Sequence, residues 1–241
     1  MMNEPCITLT NVACNYSFRK SRFKFGVYEA LKDINVTLHK GETLGVLGRN
    51  GAGKSTLLRL IAGIIKPDGG DVTYHKELSI SLLTLQLGFS TELSGKDNAI
   101  LGAMLLGKSK QEALDRLEGI RAFAEIGDWF EEPLKSYSSG MRARLGFAVA
   151  LEMSPDVLLI DEVLGVGDES FRQKSTKAMK EKMKSGQTAV FVSHNLPTLL
   201  EICPRTMWIE NGVTQMVGDT GDVLNHYLEF IKRQKEEADS S

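Results

Sequence analysis

Cysteine is scarce in this chain of 241 residues: Cys6, Cys14 and Cys203 are the only three. They make no C-x-x-C pair, which excludes a disulfide scaffold and the usual zinc spacings and fits a reducing compartment. Long hydrophobic runs are missing too. The longest, residues 99–107, falls well short of the ~20 residues needed to cross a bilayer. The opening Met1-Met2-Asn3-Glu4-Pro5-Cys6 lacks the basic and then apolar pattern of a signal peptide. If the protein works at a membrane, something else is expected to anchor it. Charge of one sign is also lacking: 29 Lys and Arg stand against 31 Asp and Glu, a net charge of −2. No global field therefore draws the chain to nucleic acid or an anionic surface. Neither an internal repeat nor a low-complexity linker is present. What is there is an ordinary globular balance, 42% hydrophobic and 25% charged, sufficient for one large domain with subdomains.

The local patterns read as α/β. Residues 7–12 and 35–38 alternate apolar and polar, as half-buried strands do. Between them, residues 18–25 mix Arg19, Lys20, Arg22 and Lys24 with three phenylalanines. This predicts an exposed hairpin or loop, the alternative being a patch for lipid headgroups or a membrane partner. Residues 43–48, 157–160 and 189–192 are continuous apolar runs of the kind buried on both faces in a parallel sheet. Helical spacing appears over residues 55–62, 111–126, 141–153 and 171–185. The second of these is read as one helix facing the core with Leu114, Leu117, Ile120 and Ala124. Residues 99–106 are apolar all round and read as a core helix or as part of a groove for a membrane partner. Asn211-Gly212 marks a hairpin turn, and Val223, Leu224, Tyr227, Leu228 and Ile231 define an amphipathic helix, so a C-terminal hairpin and helix are expected over about 205–235.

The decisive segment is Gly48-Arg49-Asn50-Gly51-Ala52-Gly53-Lys54-Ser55-Thr56. It matches G-x-x-x-x-G-K-[ST] between a buried strand and a helix. The glycines let successive N–H groups curl toward a phosphate, and the helix dipole favours the anion. Lys54 is expected on the β- and γ-phosphates, and the Ser55 hydroxyl on Mg²⁺. Asp161 and Glu162 follow a buried strand, where ligands bind in open α/β sheets. Asp161 is expected to hold Mg²⁺ through its waters, and Glu162 to polarise the attacking water. Such a pair separates the chain from phosphate-loop kinases, which need no water-activating carboxylate.

Tyr137-Ser138-Ser139-Gly140-Met141-Arg142 resembles the L-S-G-G-Q signature of ABC nucleotide-binding domains. Ser138 lies 84 residues after Lys54 (138 − 54) and 23 before Asp161 (161 − 138), as in that family. The resemblance covers nearly the whole chain. It implies an ABC-type P-loop NTPase fold: a mainly parallel sheet, an antiparallel β subdomain and a helical subdomain over about 87–154, within one domain over 1–241. It also implies ATP and Mg²⁺ as ligands, with Ser138, Ser139 and Gly140 of one copy closing on the phosphate loop of a second, head-to-tail copy. In the same pattern His194 matches the switch histidine, Asp168 the D-loop and Tyr16 the adenine-stacking aromatic. Gln86 matches the Q-loop glutamine, close to Mg²⁺ and the attacking water. Ser139 in place of glycine gives up some backbone freedom.

The stretches 137–147 and 161–168, with residues 87–98, resemble the ATPase subunits of bacterial polysaccharide exporters for O-antigen, capsule or teichoic acid. That resemblance implies an integral membrane permease as partner and a glycan contacted by the permease. It implies no nucleic acid, and a peripheral position on the cytoplasmic face of the inner membrane. Some O-antigen members carry a further C-terminal carbohydrate-binding domain; export without that recognition module is expected here. A non-transport ABC ATPase and a transporter of another substrate are the alternatives. Against the first stand the absence of a long coiled-coil insertion, of a tandem second ATPase domain and of a basic stripe.

Overall fold

The computed structural model describes residues 4–21, 24–83, 88–161 and 168–239. It divides into two compact units, residues 1–77 with 186–241, and residues 78–185. In chain order the elements begin with β1 (Pro5–Ser21), β2 (Lys24–His39), β3 (Thr43–Leu47), α1 (Lys54–Ile61), β4 (Gly69–Tyr74) and β5 (Ile80–Leu82). Then come α2 (Gly95–Leu105), α3 (Lys110–Asp115), α4 (Leu117–Ala124), α5 (Ser139–Met153), β6 (Val157–Asp161) and α6 (Glu169–Lys184). The chain closes with β7 (Thr188–Val192), α7 (Leu196–Ile202), β8 (Arg205–Glu210), β9 (Val213–Asp219) and α8 (Thr220–Asp239).

In the first unit the strands run in the order β4-β1-β2-β9-β8-β3-β7. β1 pairs antiparallel with β2 and β4, while β3 lies parallel to both β7 and β8. Every residue of β3 and β7 is buried, which is why both are unbroken apolar runs rather than alternating ones. The β1–β2 ladder continues to Ser21↔Lys24. Residues 18–21 and 24–25 of the basic, phenylalanine-rich segment are therefore strand. β8 and β9 turn at Asn211 (φ 50°) and Gly212 (φ 78°), two successive left-handed residues, as a tight hairpin requires.

In the second unit β5 and β6 are parallel, and the helices pack around Ala99, Ala103, Ala113, Ile120, Ala124, Phe130, Leu145, Ala148 and Val149. So many alanines let helix axes approach closely. The helix expected over 111–126 is two. The chain breaks at Arg116 (φ −101°), and this turns α3 so that Ala113 is buried while Leu114 is 38% exposed. The apolar helix α2 is likewise divided between core and surface: Ala99 and Ala103 are fully buried, whereas Met104 and Leu105 are exposed. Asn98, fully buried, organises the turn before α2. Its amide donates to the Ser90, Leu93 and Ser94 carbonyls, and its oxygen accepts from the Ser90 N–H. A buried amide with all its bonds made specifies one loop shape.

Candidate functional site

The phosphate loop lies between β3 and α1. Its last residue, Gly53, has φ 104°, and a Cβ there would stand 2.5 Å from the Ala30 carbonyl oxygen. At Gly48 a Cβ would stand 2.2 Å from the Ile209 carbonyl oxygen. Only glycine fits either place, the first for its left-handed backbone, the second for the close approach of β8. Helix α1 begins at Gly53 with no side-chain cap. By contrast α2, α3, α5, α6 and α7 are capped by Ser94, Ser109, Ser138, Asp168 and Asn195, while α4, entered directly from α3, also lacks a side-chain cap. An N-terminus that spends no side chain on its own donors is suited to an external anion. Lys54 is 8% exposed, and its Nζ donates to the Gly48 and Arg49 carbonyls at 2.7 and 2.9 Å. The ammonium is thereby held within the curve of the loop. Ser55 is exposed on the first turn of α1, and Asn50 and Gly51 are exposed at the loop's crest.

Two tyrosines reach this loop. Tyr16 and Tyr28 are direct partners across the β1–β2 ladder. The Tyr16 hydroxyl lies 3.5 Å from the Thr56 hydroxyl, and the Tyr28 hydroxyl donates to the Gly51 carbonyl at 3.0 Å. Tyr16 was expected here and Tyr28 was not. The two are equidistant from position 22, so a hairpin centred there would have pointed to Tyr28. His194 is exposed and follows β7. Because Val46 of β3 is in register with Val192 of parallel β7, Gly48 and His194 leave the same end of adjacent strands.

In the second unit Asp161 is the last residue of β6 and half-buried, a carboxylate at the carboxyl end of a parallel strand. Ser55 in the first unit offers a hydroxyl and Asp161 in the second a carboxylate, each a hard oxygen donor of the kind Mg²⁺ takes. Glu162 and Gln86 lie outside the described residues. Ser138 opens α5, its hydroxyl accepting from the Met141 N–H at 3.2 Å, with Ser138 and Ser139 exposed and Gly140 half-buried. Tyr137, where the L-S-G-G-Q pattern has leucine, is 3% exposed and donates its hydroxyl to the Trp129 carbonyl. Burial first, then the charges of Glu131 and Glu132, pushes its phenol up to about 12. It stays neutral and keeps donating throughout the physiological range.

Asp168 accepts from the Phe171 N–H and the Ser170 hydroxyl and pairs with Arg144 at 2.7 Å. The Phe171 N–H, then Ser170 and Arg144, hold its carboxyl below the usual aspartate value. Arg144 lies over the Phe171 ring at 4.8 Å, and Phe171 meets Phe147 and Phe123 edge-on. The start of α6 is thus fastened to the body of α5, the helix that Ser138 opens.

The family described as ABC transporter matches residues 31–165. The O-antigen export system ATP-binding protein RfbB of Klebsiella pneumoniae is 47% identical over 204 residues, 85% of this chain and 82% of that protein. The teichoic acids export ATP-binding protein TagH of Shouchella clausii is 39% identical over 214 residues, 89% of this chain but 59% of that longer protein. Among solved structures, the ATP-binding cassette MJ0796, in a dimeric post-hydrolysis state bound to ADP and Pi, superposes with a TM-score of 0.72 at 22% identity. The match covers 89% of this chain and 98% of that one.

Proposed function

This chain belongs to the ABC transporter family, and we propose that it is the ATP-hydrolysing subunit of an exporter for a bacterial surface polysaccharide. The observation that carries the ATPase reading is the uncapped start of α1, with Lys54 drawn into a glycine loop that admits no side chain at Gly48 or Gly53. Relatives named for O-antigen and teichoic-acid export support the substrate class. No described helix is long and apolar enough to cross a membrane, so a separate permease is the partner that would hold the glycan path.

In this reading the loop N–H groups and Lys54 bind the β- and γ-phosphates, and Tyr16 stacks on adenine. Ser55, Asp161 and Gln86 would hold Mg²⁺, which would supply neutralisation of phosphate charge. Glu162 takes the proton of the attacking water, and His194 contacts the γ-phosphate from the end of β7. The Ser138–Gly140 turn of a second copy closes over the same nucleotide, and Asp168 lies beside that junction. Binding of two ATP molecules then holds two copies together, and hydrolysis lets them part. The complex works on the cytoplasmic face of the inner membrane.

The test is to purify the tagged chain from native membranes with Mg²⁺ and a non-hydrolysable ATP analogue, and to identify its companions by mass spectrometry. A polytopic membrane protein is the expected companion. Only soluble or nucleic-acid partners would redirect the reading to a non-transport ABC ATPase. At the nucleotide itself, Tyr16→Ala is expected to weaken ATP binding by about 1–3 kcal/mol, the contribution of one aromatic–base stack. Affinity equal to that of the unaltered chain would give adenine to another residue, Tyr28 being the nearest aromatic partner in the ladder.

A further inference from the structure

The phosphate loop is gripped from one side by the C-terminal hairpin. The Ile209 carbonyl abuts Gly48, and the Gly212 N–H donates to the Ala52 carbonyl at 3.2 Å. Between these two contacts Arg49, a variable position of the loop motif, donates its Nε to Glu210 at 2.7 Å. Glu210 is 5% exposed, and its second oxygen meets no partner among the described residues. Arg49 is therefore the one cation paired with that buried carboxylate among the described residues. A buried charge depends heavily on its partner.

The other face of the guanidinium lies over the ring of Phe230, 5.4 Å from its centroid. Phe230 packs against Trp208 at 5.1 Å, and Trp208 packs edge-on against Tyr227 at 5.6 Å. Both Tyr227 and Phe230 belong to α8. One loop side chain thus joins the nucleotide-binding turn to the terminal helix, through a planar cation that bonds a carboxylate at its edge and an aromatic on its face.

We propose that Arg49, Glu210 and Phe230 form a latch by which docking of α8 holds the phosphate loop in its nucleotide-binding shape. The three are positioning residues, acting on nucleotide only through the loop backbone. Coupling of this kind is reciprocal. Nucleotide in the loop fastens α8, and whatever pulls on α8 loosens nucleotide. The inference rests on the loop's being an ATP site.

Hydrogen exchange of the full chain, with and without Mg·ATP, tests it. In the unaltered protein nucleotide is expected to slow exchange in α1 and also in residues 220–231 of α8. In Arg49→Ala the protection of α1 is expected to survive at saturating nucleotide, while that of α8 is lost. Phe230→Ala is expected to weaken ATP binding about tenfold, within the range of roughly 5- to 150-fold typical of coupled sites. Phe230→Trp should restore it, since a larger ring still covers the guanidinium. Slowed exchange in α1 with α8 indifferent to nucleotide in the unaltered chain would overturn the latch alone. No protection of either helix would overturn the ATP reading, and the latch with it.

Discussion

Lys54→Ala is expected to lower affinity for Mg·ATP by about 100-fold, read by titrating a fluorescent ATP analogue. The charged hydrogen bonds from the ammonium to phosphate oxygens contribute about 3 kcal/mol in all, which is two decades at about 1.4 kcal/mol each. The side chain is well placed for this. It is 8% exposed and needs no search for a rotamer, because Gly48 and Arg49 already hold its Nζ within the loop. The substitution also removes those two charge-assisted bonds, so the nucleotide-free fold should lose about 3 kcal/mol. A much larger loss in urea unfolding would mean that the loop itself had collapsed. Unchanged ATP affinity would contradict the phosphate role directly.

Glu162→Gln is expected to leave nucleotide affinity near that of the unaltered chain while turnover falls about 10²- to 10⁴-fold, the usual contribution of a general base. The amide has the shape of the carboxylate but cannot accept the proton of the attacking water. Two copies should therefore stay together around unhydrolysed ATP, seen as a larger species in size-exclusion chromatography with Mg·ATP. Phosphate release gives the rate. Turnover at the original rate would move water activation to another group. The two substitutions separate the steps, since Lys54→Ala loses binding and Glu162→Gln loses only hydrolysis.

Much of this was legible because the chemistry lies in contiguous residues. Gly48 to Thr56 carries its meaning in order and spacing, and the apolar runs ending at Leu47, Asp161 and Val192 are buried strands as expected. The ABC transporter family and the α/β fold were readable in those segments with the Ser138 turn. The α6 stripe of Phe171, Ser175, Met179 and Met183 is buried as its period requires. Where the pattern misled, a second element decided. A single amphipathic pattern over 111–126 could not reveal the break at Arg116, since one residue's backbone rotates the stripe without changing its composition.

What the sequence by itself determined is the strand–loop–helix order and the candidate groups that this order presents. Those properties depend on neighbours along the chain: glycine's backbone range, the first-turn donors of a helix, a carboxylate closing a strand. Only the tertiary structure decided which distant residues shape the loop. Tyr28 reaches Gly51 through the hairpin register, and Glu210 and Phe230 reach Arg49 from the far end of the chain. No spacing encodes the contacts of Glu210 and Phe230. They exist because β8 lies beside β3 and α8 folds back on β8, and strand order is set by the summed burial of the whole sheet.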